Sequence, residues 1–413
     1  MHPPFLSPTH TDKQIYPIDK LSEWIDSRAV PRFLRLTGVP MALPEGLRST
    51  PFSPRYDDRV EEWMDVYGHA VPLFITDPAE EYEAFRTAAG ALDYSMLYKW
   101  HVEGEDALAT VDAVFSRSVR GLGEGRIAYG VVVDADGFMI DDVTVAVLAP
   151  GHVVVTGGNP ATQESLIAHA PDGTTVTERR DEFAVLTLQG PRSREVLQRL
   201  THVDVSNAAF PYYTFVRDVL VAGIGAQVSR IGFTAELGYE IQVPRERALD
   251  LWDAVLDTGA DLGVKAAGAL ALLTCRTEAG MIMGELEYDH TVTPFECRMG
   301  WAIDFDKGPF QGRDALLAKK DTAQGRVVSV VLDTAPEAAE GARLELGGRD
   351  VGYVTMAVPS PVLDGATLGL ARVHRDAVKS GTALTAVAAD GSKADATVKP
   401  TPVYDPERTR VRA

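Results

Sequence analysis

The sequence predicts an α+β fold that ends in a small β-barrel. The chain has 413 residues, too many for a single small hydrophobic core, so we expect several lobes. Strand-like runs are interspersed with helical patterns, and hairpin turns rather than regular βαβ units join them. After residue 324 the chain carries short strand-like runs at even spacing, which is typical of a small barrel.

The strand and helix patterns before residue 320 place each element. Runs at 129–133 and 139–145 flank the turn DADG at 134–137, so they predict a hairpin, with a third strand at 152–156. Further strands are predicted at 183–188, 219–231 and 238–243, and helices at 78–91, 193–200, 248–258 and 267–279.

The barrel strands are predicted at 327–332, 343–346, 350–356, 369–373 and 383–387. Residues 1–50 are rich in proline and predict an N-terminal extension with one helical stretch at 18–28. We therefore expect three regions: the extension at 1–50, a main module at 51–320 and a C-terminal β-barrel domain at 321–413.

Charge and composition exclude several functions. The chain has 40 Lys and Arg residues and 59 Asp and Glu residues, which give a net charge of −19. A surface with this charge repels the phosphates of nucleic acid. An anionic small ligand would therefore need a local cluster of arginine or lysine. No apolar run approaches the ~18 residues that span a bilayer, and the start of the chain lacks a secretory signal. A cytoplasmic protein without a membrane partner is expected.

Several common catalytic motifs are absent from the sequence. It has no phosphate loop ending in Gly-Lys-Ser/Thr, no metalloprotease His-Glu-x-x-His and no Gly-x-Ser-x-Gly elbow. The 2 cysteines, Cys275 and Cys297, each precede an arginine, but nothing else supports a nucleophile, so we expect them to be buried and structural. The histidines show no ligand-like pairing, and no metal site is expected.

Small motifs occur in a specific order along the chain. They are LDYS (92–95), VEGEDA (102–107), AYG (128–130), DGFMIDDV (136–143), LQGP (188–191), RIGFTAELGYEI (230–241), CRTEAG (275–280), TPFE (293–296), FQGR (310–313) and GYVT (352–355). From about residue 50 to about residue 404 the chain resembles the tetrahydrofolate-binding family of the glycine-cleavage T-protein (aminomethyltransferase), whose relatives include folate-dependent demethylases. The resemblance implies a three-lobed folate-binding fold, with two interleaved lobes before the C-terminal barrel, and tetrahydrofolate as cofactor.

The resemblance also implies which residues bind the cofactor. A carboxylate matches the paired donors on the aminopyrimidine edge of a reduced folate. The segment 230–241 resembles the family's Tyr-Thr-Gly-Glu motif, which assigns this contact to Glu236 and adds Tyr239 as a further folate contact. Glu240 is a second glutamate in this segment and is chemically equivalent to Glu236. On a regular strand the two side chains would lie on the same face. Arg276 matches the arginine that the family places in the folate site.

The chemical step needs an acid. One-carbon transfer requires proton movement and stabilisation of a cationic carbon–nitrogen centre, and a carboxylate in a partly dry cleft does both. Asp141 and Asp142 are adjacent on a strand, so only one of them faces the cleft. The resemblance selects Asp142 as the catalytic residue, and Asp141 is expected to face solvent or bond to a turn.

Departures from the family pattern concern the substrate. Met96 replaces the histidine of the family's Asp-Val-Ser-His-Met, Met283 stands where the family often has tyrosine, and Ala235 interrupts the Thr-Gly-Glu triplet. The leading hypothesis is therefore an enzyme that moves a methyl or methylene group between a small methylated substrate and tetrahydrofolate. The alternatives are an aminomethyltransferase of glycine cleavage that acts on a lipoyl carrier protein, and a folate-binding protein without turnover.

Overall fold

A computed structural model describes residues 43–56 and 58–413. These residues form a two-stranded hairpin, a five-stranded sheet, a six-stranded sheet and a closed six-stranded barrel. The predicted helix at 18–28 lies outside the described residues. None of the helices in the described part of the chain is long and apolar enough to cross a membrane.

The strands are β1 (Trp63–Val66), β2 (His69–Pro72), β3 (Ala89–Asp93), β4 (Tyr98–Glu103), β5 (Ile127–Val133), β6 (Met139–Ala149), β7 (His152–Gly157), β8 (Thr175–Glu178), β9 (Phe183–Gln189), β10 (Phe215–Val221), β11 (Ile224–Ser229), β12 (Gly238–Pro244), β13 (Val264–Ala266), β14 (Gly325–Leu332), β15 (Arg343–Leu346), β16 (Arg349–Ser360), β17 (Ala366–His374), β18 (Ala383–Val387) and β19 (Lys393–Lys399). The α-helices are α1 (Pro78–Thr87), α2 (Ala107–Val114), α3 (Ala161–His169), α4 (Ser193–Leu200), α5 (Ala248–Gly259), α6 (Ala269–Glu278), α7 (Arg313–Lys319) and α8 (Pro336–Ala339).

The five-stranded sheet has the order β5-β6-β7-β4-β8 and contains the predicted hairpin. In the β5–β6 pair Val131 lies opposite Asp142. Asp134 holds the turn, since its carboxylate accepts from the backbone N–H groups of Asp136 and Phe138, and Gly137 supplies the positive φ of +81°. The prediction of this hairpin and of the third strand is confirmed.

The six-stranded sheet has the order β10-β11-β12-β9-β3-β13 and is antiparallel except for the β3–β13 pair. The chain enters this sheet at β3, leaves to build the five-stranded sheet and returns at β9. Two lobes therefore interleave along the sequence. The apolar core under this sheet includes Trp252 of α5, whose ring lies 5.6 Å from those of Phe52 and Tyr56.

Two element boundaries differ from the sequence prediction. The helix predicted at 78–91 ends at Thr87, because residues 89–93 form the buried strand β3. Gly90 makes this possible, since a Cβ there would lie 2.5 Å from the ring of Phe85. The single run predicted at 219–231 is a hairpin instead, with positive φ at Ala222 and Gly223 in its turn.

The C-terminal region is a closed barrel with the order β14-β17-β16-β15-β18-β19. The five predicted strands are all present, which confirms the barrel. The sixth, β19, was missed because its sequence KADATVK alternates small and charged residues and carries few β-branched side chains. The three lobes meet around one central cavity.

Candidate functional site

The central cavity has a volume of about 400 Å³, which is in the range of ligand sites. Its wall combines residues from the hairpin β1–β2, from both sheets, from α6 and the loop after it, and from the C-terminal segment after the barrel. Its polar and aromatic lining includes Tyr67, Tyr94, Tyr129, Asp141, Asp142, Tyr213, Glu240, Arg298, Trp301, Arg326 and Arg408.

Asp142 on β6 is held between two tyrosines. The hydroxyl of Tyr129 on β5 donates to Oδ2 at 2.7 Å, and the hydroxyl of Tyr288 donates to Oδ1 at 2.5 Å. The Tyr288 oxygen also accepts the backbone N–H of Asp142 at 3.0 Å. Because the tyrosines come from separate segments, the carboxylate is fixed in position and orientation.

The surroundings of Asp142 raise its pKa overall. Burial raises the pKa of Asp142, while the hydrogen bonds from Tyr288 and Tyr129 lower it. Burial and the charge of Asp142 raise the pKa of both tyrosines well above the ordinary value, so they remain donors. A carboxylate with two phenol donors retains free lone pairs, with which it can accept a proton or stabilise a nearby positive charge.

Asp141 lines the cavity beside Asp142, so the prediction that only one of the two faces it is wrong, but the contacts of Asp141 differ from those of its neighbour. It is buried, and its carboxylate accepts from the backbone N–H groups of Gly158 and Asn159 and from the hydroxyl of Thr162. Of the two predicted roles for Asp141, bonding to a turn is confirmed and exposure to solvent is wrong. Gly157 is required here, because a Cβ would lie 2.3 Å from Oδ2 of Asp141. Burial and the charge of Asp142 raise the pKa of Asp141 to about 7.

Glu240 on β12 is the third carboxylate of the cavity lining, after Asp141 and Asp142. No hydrogen bond to its carboxylate occurs within the described residues, although burial raises its pKa to about 7. Keeping a carboxylate away from water without a hydrogen-bond partner costs free energy, unless a ligand supplies the donors. Sequence reasoning noted Glu240 and did not select it as a site residue.

Glu236 lies outside the cavity lining. The Arg86 guanidinium donates to it at 3.0 Å in a fully buried ion pair, and the hydroxyl of Tyr404 donates to the same oxygen. Glu236 is therefore absent from the cavity lining, and its contact with the pterin stays a prediction. The physical reason for this position is the turn before β12, where Ala235 has a φ of +62° and strand phase does not extend back to Glu236.

Tyr239 and Arg276 also lie away from the cavity lining. Tyr239 is on the face of β12 opposite to Glu240, and its hydroxyl donates to the carbonyl of Val205 at 3.4 Å. Arg276 is fully buried on α6 and forms an ion pair with Glu287 at 2.5 Å. These side chains pack between elements, and their contacts with folate stay predictions.

Three arginines line the cavity as a cluster that sequence reasoning missed. Arg298, Arg326 and Arg408 have no carboxylate partner within 4.0 Å in the described part of the chain. Arg298 donates to the carbonyl of Thr401, and burial together with the charges of the other two lowers its pKa. Such a cluster is the local positive site that an anionic ligand needs on a chain of net charge −19. Nothing in the local sequence marks these three positions.

Methionines form much of the apolar wall of the cavity. Of the chain's 9 methionines, the ones that line it are Met64, Met96, Met281, Met283 and Met299. The two family departures, Met96 and Met283, line the cavity and also belong to the apolar cluster that includes Met64 and Leu273. Methionine is flexible and polarisable, so this wall suits an apolar or sulfur-containing group.

The structure describes no cluster of potential metal ligands in residues 43–56 and 58–413. Cys275 and Cys297 are both buried, and burial raises the pKa of each thiol well above its ordinary value. The expectation of buried cysteines is confirmed.

Comparison with known families identifies the fold. The family model described as "GCVT N-terminal domain" matches residues 54–307. The model described as "Glycine cleavage T-protein C-terminal barrel domain" matches residues 326–405. The chain belongs to the glycine-cleavage T-protein family.

Characterised relatives support the same assignment. An aminomethyltransferase of Geobacillus sp. (strain WCH70) is 32% identical over 363 residues, which cover 87% of this chain and 99% of the relative. An aminomethyltransferase of Thermotoga sp. (strain RQ2) is 30% identical over 362 residues, which cover 87% and 98%. The crystal structure of aminomethyltransferase T of the glycine cleavage system from Bartonella henselae superposes with a TM-score of 0.77 at 22% identity, over 87% of this chain and 98% of that one.

Family membership confirms the three-lobed fold and the prediction of an enzyme that transfers a one-carbon group with tetrahydrofolate as cofactor. The cavity residues fit this cofactor. The Glu240 carboxylate accepts no hydrogen bond from the described residues, and the edge of an aminopyrimidine ring offers paired donors. The arginine cluster suits the carboxylates of a folate's glutamyl tail.

The contacts of Glu236 lead to a stability prediction. Glu236→Gln keeps the shape and removes the charge that balances Arg86, so we expect the free energy of unfolding to fall by about 1.5–3 kcal/mol in urea titrations. The matched control Glu195→Gln lies in an exposed ion pair with Arg192, and its effect should stay under about 1 kcal/mol. Equal stability of Glu236→Gln and wild type would show that this ion pair does not support the fold.

Proposed function

We propose that the chain is an aminomethyltransferase in which the central cavity binds tetrahydrofolate and Asp142 assists the transfer. One observation carries the proposal. Asp142, held by two tyrosine donors, and Glu240, which lacks a partner, line the same cavity of about 400 Å³. The first is placed for chemistry and the second for binding.

Binding uses the two ends of the polar lining. Glu240 accepts from the aminopyrimidine edge of the pterin, in place of Glu236, whose carboxylate is already bonded to Arg86. Arg298, Arg326 and Arg408 attract the glutamyl carboxylates. Exposed Trp301, whose ring centroid lies 6.1 Å from that of Tyr129, offers an aromatic surface for the ring system between them.

Chemistry depends on Asp142. When bound, tetrahydrofolate supplies the amine nitrogens that receive the one-carbon unit. The Asp142 carboxylate stabilises the positive charge that develops beside it and takes up or returns a proton at Oδ1 or Oδ2. Tyr129 and Tyr288 orient the carboxylate through hydrogen bonds. Because neither partner is a cation, the negative charge of the carboxylate is not cancelled by an ion pair.

We infer that the donor is an aminomethyl group on a lipoyl carrier protein. This inference is supported by relatives named aminomethyltransferase that match 87% of the chain. A second candidate, a small methylated donor, is favoured by the methionine wall that includes Met96 and Met283.

Two assays separate these donors. Purified lipoyl carrier bearing the aminomethyl group is mixed with the protein and tetrahydrofolate, and the formation of the methylene form of the folate is followed. In parallel, methylated amines, thioethers and aryl methyl ethers are screened with tetrahydrofolate. Turnover with the carrier supports the first donor; turnover with a small methylated compound alone overturns it in favour of the second.

Asp142→Asn should lower turnover by about a hundredfold to ten-thousandfold, because asparagine neither carries the charge nor takes up a proton. Folate affinity should change little, since the pterin contact is elsewhere. Asp141→Asn is a poor control because Asp141 is buried on β6 and its carboxylate accepts from the backbone N–H groups of Gly158 and Asn159. Asp136→Asn, at an exposed position of the same hairpin, is the better control and should keep full activity. Full activity of Asp142→Asn would exclude this mechanism.

Glu240→Gln should weaken tetrahydrofolate binding by about 1.5–3 kcal/mol, or about tenfold to a hundredfold in Kd, since it removes a charge-assisted contact. Isothermal calorimetry measures this directly. Glu195→Gln, at an exposed position, is the matched control and should leave affinity at the wild-type value. Glu236→Gln, measured under conditions in which it is folded, tests the alternative contact and should lose less affinity than Glu240→Gln. The reverse pattern, with affinity lost only in Glu236→Gln, would return the pterin contact to Glu236.

A further inference from the structure

A second, smaller pocket adjoins the central cavity between the two sheets. Its volume is about 60 Å³, enough for a few water molecules. Tyr94, Thr144, Ile231 and Glu240 line both spaces, so the pocket lies directly behind the Glu240 carboxylate. Lys99 of β4 lines the same small pocket as Glu240.

Lys99 is a buried cation with an unusual set of contacts. Its side chain donates to the carbonyls of Leu97 at 3.0 Å and Ser95 at 3.4 Å, and no carboxylate lies within 4.0 Å in the part of the chain that the structure describes. A buried ammonium usually requires a paired anion. Glu240 is the carboxylate that faces it across the small pocket.

The other charged groups near Lys99 are already engaged. Asp93 accepts from Tyr56 and from the backbone N–H of Ser95. Glu178 accepts from the backbone N–H of Arg180, whose guanidinium adds a further positive charge near Lys99.

His101 is the remaining titratable group of basic character that lines the pocket. Burial, together with the charges of His152, Arg179 and Lys99, lowers its pKa to about 4, so it is neutral near pH 7. Tyr94, which lines both spaces, is kept neutral by burial and by the charges of Glu240, Tyr67 and Asp142, which raise its pKa. Lys99 is therefore the cation that acts on Glu240.

We propose that Lys99, acting across the small pocket, holds Glu240 in its carboxylate form and thereby sets the pH range in which tetrahydrofolate binds. Lys99 is a positioning residue in this role, since it does not contact the ligand. The inference depends on the proposed function, in which Glu240 binds the pterin edge.

The direction of the effect follows from simple electrostatics. Burial raises the pKa of Glu240 to about 7 and Lys99 opposes that shift, while burial lowers the pKa of Lys99 to about 8. Removing the positive charge raises the pKa of Glu240 further, so a smaller fraction is ionised near pH 7. Affinity should then fall near neutral pH and recover at higher pH, where the carboxyl is ionised again.

The test is the pH dependence of tetrahydrofolate affinity, measured by calorimetry between about pH 6 and pH 9 under anaerobic conditions. Lys99→Met should bind about fivefold to tenfold more weakly than wild type at pH 7 and nearly as tightly at pH 9, since loss of an adjacent charge shifts a pKa by about one unit or more. Lys99→Arg keeps the charge and should follow the wild-type profile. Lys379→Met, at an exposed position, controls for the change in net charge.

Near-ultraviolet circular dichroism establishes that each variant is folded. If Lys99→Met does not fold, Lys99→Gln carries the same test, because its amide still donates to the Leu97 and Ser95 carbonyls. A wild-type profile for a folded, uncharged Lys99 variant overturns the proposal. Glu240→Gln separates a failure of the proposed pterin contact from a failure of the role of Lys99. Unchanged folate affinity in Glu240→Gln refutes the pterin contact itself. Weakened affinity in Glu240→Gln, together with a wild-type pH profile for Lys99→Met, refutes the role of Lys99 alone.

Discussion

The buried guanidinium of Arg86 is the interaction on which the arrangement of the cavity depends. Its donors reach the carboxylates of Glu236 at 3.0 Å and Glu278 at 2.7 Å, the carbonyls of Thr234 and Cys275, and the hydroxyl of Tyr82. The ring of Tyr404 covers its face at 3.8 Å. One side chain of α1 thus joins α6, the turn before β12 and the segment after the barrel.

This network distinguishes the acidic residues of the site. Glu236 and Glu278 share the charge of Arg86, and Arg410 lies 3.4 Å from Glu236 as a second cation. Ser360 of β16 donates to Glu278 at 2.8 Å, which ties the barrel to the same centre. Asp142 and Glu240 have no cationic partner within 4.0 Å among the described residues and face the cavity. Carboxylates that lack a structural ion pair are the ones left for a ligand and for proton transfer.

The sequence was sufficient for features with a local cause. The hairpin around residues 134–137, the barrel and the position of Asp142 followed from alternation, turn residues and family motifs. The position of the Glu236 side chain outside the cavity lining depends on the positive φ of its neighbour Ala235, which a motif match does not reveal. Arg298, Arg326 and Arg408 were missed because they come from three distant segments and meet only in the folded chain.

The most direct measurement of the central claim is a crystal structure of the protein with tetrahydrofolate, grown anaerobically. We expect the aminopyrimidine edge within hydrogen-bond distance of the Glu240 carboxylate, the reduced ring nitrogens beside Asp142 and the glutamyl tail at the arginine cluster, with the pair of Arg86 and Glu236 intact. A pterin bound against Glu236 or Arg276, with that ion pair broken, would contradict the account.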